Sequence, residues 1–468
     1  MNHWDATRLA SAAGARMLRA AAGDGGPRRV VIDSRTVGEG DLFVAIPGAR
    51  VDGGAYARAA SAAGAWGVVV QSQWADEALA ESGAVLVAED PVGALGALAR
   101  DWRRELGAAV IAVTGSVGKT STKDLIAAMI RPHRRLAASR ANFNTEIGLP
   151  LELLAAPAGT EVLVLELGMR GFGQIAELAT ICEPDVGVIT NIAPVHLEQV
   201  GDLDGVARAK GELLVGLRDG GHAVVPAGEP RLEPWLRGTL AVTRFGPGGD
   251  VDWVRGSEGS AIAVPGSTLT LDLNVTQAHQ RSNALAAAAA ALAVGVRPSG
   301  RVDVAFSALR GEHVDLPGWV VLINDCYNAN PLSMGAALED LGAHETAGRR
   351  IAVLGDMLEL GAEEDDLHRR AGAQAALAGV EVLITVGPRA RLMADEFPGE
   401  VHAVADADAA AGVLVSLQRA GDVVLVKGSR GVGLERVAER LGAGTAGVAP
   451  GDDGAAVGGD GAAAKAPD

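Results

Sequence analysis

Val110-Ile-Ala-Val-Thr-Gly-Ser-Val-Gly-Lys-Thr-Ser-Thr-Lys123 is the stretch on which the reading of this chain turns. A four-residue apolar run ends in a Gly-rich turn that closes on Gly-Lys-Thr, and beyond it Leu125, Ile126, Met129 and Ile130 recur with helical spacing. Strand, tight loop and helix, in that order, are the context a phosphate-binding loop requires. Gly115 and Gly118 allow the backbone from Thr114 through Ser116 and Val117 to wrap an anion with its N–H groups inward, and Ser121 falls in the first helical turn behind it. Lys119 would supply a point charge to β/γ-phosphates, and the Thr120 hydroxyl a ligand to Mg²⁺. The strict consensus asks for Gly where Val113 stands, so a Gly-rich turn carrying a solvated lysine is the plain alternative.

The 468 residues suggest about three domains by length alone. A hydrophobic content of 48% with 21% charged residues is that of a globular protein able to bury sizeable cores. A net charge of −17 argues against general nucleic-acid binding, because no basic surplus exists to displace phosphate counterions. An anionic small molecule would need only a local positive pocket. Cys182 and Cys326 lie far apart, without metal-type spacing, and read as two reduced buried thiols. Met-Asn-His-Trp-Asp at the start lacks a basic region followed by an apolar core, and the apolar run Ala284–Val296 is too short to span a bilayer. A cytoplasmic protein that does not insert into membranes is expected.

The pattern predicts an α/β protein of three domains. Residues 1–104 make a small α/β unit, with an amphipathic start over Ala6–Ala22 and short strands at Val30–Ile32 and Leu42–Ile46. Asp33, Ser34 and Arg35 sit at the end of the first of these strands, where they could face a ligand or simply form a capped turn. Residues 105–316 carry the phosphate loop on strands apolar on both faces (Ala108–Val113, Val162–Leu167, Val186–Thr190), which implies a mainly parallel sheet covered by helices. Ligands of such sheets lie at the carboxyl ends of the strands, where Glu166 falls, while His196 follows the third strand and Lys210 lies on the next helix. Glu166 and His196 are candidates to hold divalent ions, or to be structural groups. A long helix is expected from Asn283 to Ala293, residues 317–442 repeat the strand–helix alternation as a Rossmann-like domain, and 443–468 should be disordered.

Thr114–Thr120, Asn142-Phe-Asn-Thr-Glu-Ile-Gly-Leu-Pro150, Glu166-Leu-Gly168, Asn191-Ile-Ala-Pro-Val-His196 and Lys210-Gly-Glu212 together resemble the central domain of the Mur ligases, the ATP-dependent amide-forming enzymes of peptidoglycan precursor synthesis. Arg310-Gly-Glu312, Asn324–Pro331, Gly355-Asp-Met-Leu-Glu-Leu-Gly361 and Val426-Lys-Gly-Ser-Arg-Gly431 resemble the C-terminal domain of the branch that adds D-alanyl-D-alanine to UDP-N-acetylmuramoyl-tripeptide (UDP-MurNAc-tripeptide). Asp33-Ser-Arg35, Gly40–Ala45 and Asp52-Gly53 resemble that branch's nucleotide-sugar domain. Thr145, Gly54 and Gln280 stand where the branch usually has Asn, His and Asn.

The resemblance implies ATP and two Mg²⁺ ions, with Thr120 and Glu166 serving Mg²⁺ and His196 the second ion. It implies that Lys210 is carbamylated by CO₂, which converts a poor neighbour of a cation into an anion; on sequence alone Lys210 reads as a surface helix lysine. His279 and Asn283 match adenine-contacting positions, or else a surface histidine and a helix cap. Arg310 and Asp325 match residues that approach the nucleotide when the C-terminal domain closes. Tyr327, Asn328 and Asn330 fall near the same interface, unless Asn-Ala-Asn-Pro is only a turn and helix start. Ser34 and Arg35 would face the uridine nucleotide, and Asn142, Asn144 and Thr145 the substrate. A monomer acting on UDP-MurNAc-tripeptide and D-Ala-D-Ala is expected. A sister ligase adding a diamino acid would carry Asp-Asn-Pro-Arg, which is missing here. A folylpolyglutamate-synthase-like enzyme would lack the first domain, and a regulatory phosphate-loop ATPase would need no amine.

Overall fold

The strand Ala109–Thr114 shows how the layers arise. Side chains alternate across a strand, so Val110 and Ala112 enter one core while Ile111 and Val113 enter another on the opposite face. In this computed structural model, which describes residues 1, 3–23, 25–140, 142–256, 261–273, 275, 278–307, 309, 311–316 and 320–442, that strand lies inside a six-stranded sheet. Val162–Glu166 and Val186–Ile189 flank it in parallel, and Leu136–Ala138, His222–Pro226 and Ala241–Phe245 complete an all-parallel sheet. Helices Lys119–Ile130 and Ala278–Ala293 cover the Ile111/Val113 face. The second buries Ala284 and Ala286 to Ala291, small side chains that let it lie close to the sheet. Helices Gly148–Ala155, Gln174–Cys182 and Leu203–Val215 cover the other face. A smaller sheet of Asp252–Trp253, Ala261–Val264, Ser267–Leu273 and Gly300–Val302 sits at the periphery.

The N-terminal unit is a five-stranded sheet, parallel except for Arg16–Arg19, which runs antiparallel to Ala84–Val87. Within the amphipathic start over Ala6–Ala22 the helix is short. It ends at Ala12, Gly14 takes φ +61°, and the chain returns as the strand Arg16–Arg19. Helix Pro91–Leu106 closes the unit, starting on an Asp90 cap and ending at Gly107 in the left-handed region. It also packs on the central domain. Leu95, Leu98 and Trp102 share one core with Leu149, Leu153 and Leu178, and the Trp102 indole donates to the Ala156 carbonyl at 3.1 Å.

The C-terminal sheet runs 312–316, 320–324, 423–427, 350–355, 382–386, 400–404 and is parallel except for its first hairpin. The expected boundary between 316 and 317 therefore cuts a hairpin, because Glu312–Leu316 pairs along its whole length with Val320–Asn324. We place the seam ahead of Glu312. Among the described residues, none before Leu309 enters the cores on the two faces of this sheet. The expected disordered tail 443–468 and Arg310 lie outside the described residues.

Candidate functional site

Three strand ends build the site. Val113 pairs with Glu166 and Thr114 with Ile189, so the phosphate loop, the Glu166 carboxylate and the Thr190–His196 segment leave the sheet side by side. The loop's shape depends on its glycines. Gly115 has φ +150° and a Cβ there would lie 1.8 Å from Thr190 Oγ1; Gly118 has φ +81° and its Cβ would lie 2.5 Å from Asn283 Oδ1. Side chains from the neighbouring strand end then fix the loop. The Val117 N–H donates to Asn191 Oδ1 at 3.0 Å, while Asn191 Nδ2 and Thr190 Oγ1 both donate to the Val117 carbonyl. The Ser116 hydroxyl donates to the Ala193 carbonyl and accepts from the Ala193 N–H, both at 2.9 Å, and Thr114 Oγ1 donates to the Leu167 carbonyl. Thr190 and Asn191 were given no role from sequence, although Asn191 opens the motif that ends at His196.

Behind the loop, Thr120 Oγ1 donates to Glu166 Oε2 at 2.6 Å and Asn144 Nδ2 donates to Oε1 at 2.9 Å. Thr120 and Glu166 are 1% and 3% exposed. The Glu166 N–H donates to Ser139 Oγ, whose backbone carbonyl accepts from the buried Lys123 ammonium at 2.6 Å. A hydroxyl and a carboxylate so placed are hard oxygen donors of the kind Mg²⁺ takes. Among the described residues no group of three or more His, Cys, Asp or Glu is close enough to hold a metal by itself. The donor set therefore fits an ion that also takes phosphate oxygens. Lys119 Nζ donates to the Gly115 carbonyl at 2.8 Å, folded onto its own loop, and Ser121 follows Thr120 in the first turn.

Lys210 is not the surface residue its helix position suggests. It is 1% exposed and has no hydrogen-bond or ion-pair partner among the described residues. Burial, with repulsion from Lys119 second, drives its pKa well below the ordinary lysine value, favouring the neutral amine. Its neighbours explain its placement. Gly211 lies under the Trp235 indole, where a Cβ would come within 2.7 Å, and the Glu212 carboxylate caps helix Gln174–Cys182 by accepting from the Gly173 and Ala176 N–H groups.

His196 takes φ +53° and its Nδ1 bonds Glu359 of the C-terminal domain. That bond, ahead of an opposing burial effect, holds the Glu359 carboxyl below its usual range. Asn283 is buried in the interior of helix Ala278–Ala293, which begins five residues earlier than expected, so it contacts the phosphate loop and does not cap the helix. His279 is exposed near the start of that helix. In the C-terminal domain, Asp325 pairs with the buried Lys427 at 2.7 Å, and Lys427 also donates to the Asn328 carbonyl. Tyr327 is half-buried beside them. Asn330 caps helix Pro331–Ala343 in a reciprocal capping box with Ser333, which commits its side-chain oxygen to the backbone.

In the first domain the Asp33-Ser-Arg35 turn is a capped one. Asp33 accepts the Arg35 N–H and pairs with the exposed Arg35 guanidinium at 2.6 Å, leaving Ser34 half-buried between them. The strand leading into it packs through Val30 and Ile32 on the core that holds Ile147 and Leu151, next to the loop with exposed Asn142 and Thr145. Gly54 departs from the family pattern for a steric reason. A Cβ there would meet the Trp74 ring at 2.0 Å, and that indole donates to Asp52 at 2.9 Å. Cys182 and Cys326 are buried and free.

A parallel sheet whose strand ends present a Gly-Lys-Thr loop, a hydroxyl–carboxylate pair and a buried amine defines an ATP-using α/β ligase site. Comparison with known proteins makes it specific. Residues 28–103 match the profile of the Mur ligase family catalytic domain, 113–291 that of the Mur ligase middle domain, and 309–430 that of the Mur ligase glutamate ligase domain. The chain belongs to the Mur ligase family. It is 33% identical over 427 residues to the UDP-N-acetylmuramoyl-tripeptide–D-alanyl-D-alanine ligase of Bacillus subtilis, covering 88% of this chain and 92% of that one. It superposes on MurF from Acinetobacter baumannii with a TM-score of 0.84 at 27% identity, covering 94% and 98% of the two chains. With MurF ligase from Thermotoga maritima in complex with ADP the values are 0.76, 28%, 88% and 97%. Among the described residues no helix is long and apolar enough to cross a membrane.

Proposed function

We propose that this protein joins D-alanyl-D-alanine to UDP-MurNAc-tripeptide at the expense of ATP, as a cytoplasmic monomer. The observation that carries the reading is the convergence on one sheet edge of the Gly-Lys-Thr loop, the Thr120–Glu166 pair and the buried, unpaired Lys210. The substrate carboxylate attacks the γ-phosphorus of ATP, ADP leaves, and an acyl phosphate results. The dipeptide amine then attacks the acyl carbon, loses a proton, and phosphate departs as the amide forms. Mg²⁺ supplies charge neutralisation for the phosphoryl transfer when bound, and Thr120, Glu166, His196 and Lys210 are the residues that would hold it.

The remaining work falls to the chain itself. The loop of residues 115–118 would wrap the phosphates, and Thr190, Asn191 and Ala193 hold it in shape, with Asn191 taking the Ser116 and Val117 N–H groups. Lys119 leaves the Gly115 carbonyl to reach the β/γ-phosphates. Lys210 reacts as the neutral amine with CO₂, its nitrogen forming a bond to carbon and releasing a proton, to give the carbamate anion. Burial without a counter-charge supports that role, since it favours the uncharged nucleophile. Asn283 and His279 lie on the helix beside Gly118, where the adenosine would rest. Asp325, Tyr327, Asn328 and Asn330 would serve the C-terminal side of the site, and Ser34, Arg35, Asn142, Asn144 and Thr145 the nucleotide-sugar side.

The test is coupled ADP release with purified UDP-MurNAc-tripeptide and a panel of amines. D-Ala-D-Ala is expected to stimulate release well above single amino acids and diamino acids. No stimulation by it would sink the reading, and phosphate release independent of any amine would favour a plain ATPase.

A further inference from the structure

Glu359 reaches from the C-terminal domain to His196 of the central domain. Its loop is held unusually firmly. The Asp356 carboxylate accepts the Arg389 and Ala390 N–H groups at 3.0 and 2.7 Å. The Met357 N–H donates to His368 Nε2, and the Leu358 N–H to Ser429 Oγ, both at 3.0 Å. The Ser429 N–H in turn donates to the Asp356 carbonyl at 3.0 Å, and Leu360 is buried. Out of this brace Glu359 projects with φ +64° toward His196, which has φ +53°. Gly361 follows against the backbone of Leu197 and Glu198.

Two non-glycine residues in the left-handed region therefore meet each other across two domains. Such conformations cost free energy to hold and cluster where geometry serves a function. An ordinary exposed ion pair, worth little in itself, would not call for them. The bond engages Nδ1 of the ring and leaves Nε2 without a partner among the described residues. A histidine that ligates a metal through one ring nitrogen characteristically gives the other N–H to a carboxylate, which fixes its tautomer and strengthens it as a ligand.

We propose that Glu359 is a positioning residue for the metal-ligating His196, and that by reaching it from another domain it couples docking of the C-terminal domain to occupancy of that divalent site. This rests on the reading of His196 as a metal ligand given above. The coupling is reciprocal by linkage: an ion on His196 favours the docked domain as much as the docked domain favours the ion. It adds a residue to the site and gives the closing motion a specific contact.

The experiment is a Mn²⁺ titration of the full chain with a non-hydrolysable ATP analogue, read by the electron paramagnetic resonance signal of free Mn²⁺, with small-angle scattering on the same samples. Glu359→Ala is expected to weaken the weaker of two Mn²⁺ sites by about 10- to 100-fold and leave the tighter one unchanged. Its radius of gyration should stay larger than the wild type's when analogue and Mn²⁺ are both present. Glu359→Gln, which still accepts from Nδ1–H, should lie between the two and guards against a folding defect in the alanine variant. Wild-type Mn²⁺ affinity at both sites in Glu359→Ala would overturn the proposal. His196→Ala separates the two layers: if it loses the weaker site while Glu359→Ala does not, only the positioning role fails. If His196→Ala also keeps both sites, the assignment of His196 as a ligand fails, and the proposal falls with it.

Discussion

Gly115→Ala isolates the backbone geometry of the phosphate loop from its charge. At φ +150° an L-residue is strained by about 1–3 kcal/mol wherever its side chain goes. Here the new methyl would also lie 1.8 Å from Thr190 Oγ1, so that hydroxyl must move. Moving it breaks the 2.6 Å bond to the Val117 carbonyl, a further loss of about 0.5–1.5 kcal/mol. Together the cost is about 1.5–4.5 kcal/mol, which is about 10- to 1,600-fold at 1.4 kcal/mol per decade. It will be divided between lower stability and weaker nucleotide binding, depending on how far the loop deforms. Calorimetric titration with an ATP analogue and urea unfolding on the same variant capture both shares. Thr190→Ala in the Gly115→Ala background removes the collision but not the strain, so the double variant should recover about 1 kcal/mol relative to additivity. If Gly115→Ala binds within twofold of wild type and unfolds at the same urea concentration, the account of the loop is wrong.

Turnover should fall in CO₂-depleted buffer and recover on adding bicarbonate, and ¹³C-bicarbonate should give a carbamate resonance that Lys210→Ala lacks; a fully active Lys210→Ala under both conditions would remove the carbamate from the mechanism. His368 accepts from the Met357 N–H through Nε2 and bonds the Glu364 carbonyl through Nδ1, an arrangement only the neutral ring can make, and burial first of all lowers its pKa. Because the folded value lies below the unfolded one near 6.5, its stabilising contribution is complete above about pH 6.5 and fades as pH falls toward the folded value. His368→Gln should flatten urea midpoints over that window, and an unchanged slope would count against the assignment. Leu98→Ala should cost about 2–5 kcal/mol, because Leu98 is fully buried in the core shared by two domains. Its Trp fluorescence transition and its loss of nucleotide binding should shift together to lower urea, and separate transitions would show that the two units unfold independently.

The local features were legible because their causes are local. Gly-Lys-Thr after an apolar run announces a strand, a loop and a helix through residues within a few positions of one another, and Glu166 was found because a parallel sheet presents its strand ends together. Asp33 and Asn330 do form the turn and the cap that their residue types allowed. What escaped depends on residues distant in the chain. Asn191 holds Val117 across 74 positions and Glu359 reaches His196 across 163, with no periodicity to connect either pair. Burial of Lys210 is a property of tertiary packing against which its helical pattern says nothing. Asn283 could be read as a cap by residue type, yet the helix runs through it from Ala278. The hairpin at 312–324 was cut because its first strand, Glu-His-Val-Asp-Leu, alternates polar and apolar residues like an edge strand of any neighbouring sheet.

Helix Pro91–Leu106 sets unequal terms for the two outer domains. Its Leu95, Leu98 and Trp102 are interior residues of two units at once, whereas the C-terminal cores are filled from within. An exchange of the first domain between related ligases must therefore carry a matching surface of the second, with Leu149, Leu153 and Ala156 refitted to the incoming helix. An exchange of the third meets no such shared core among the described residues. Chimaeras that exchange the C-terminal domain should thus be easier to obtain than chimaeras that exchange the N-terminal one, and the same asymmetry constrains how such a family can diversify.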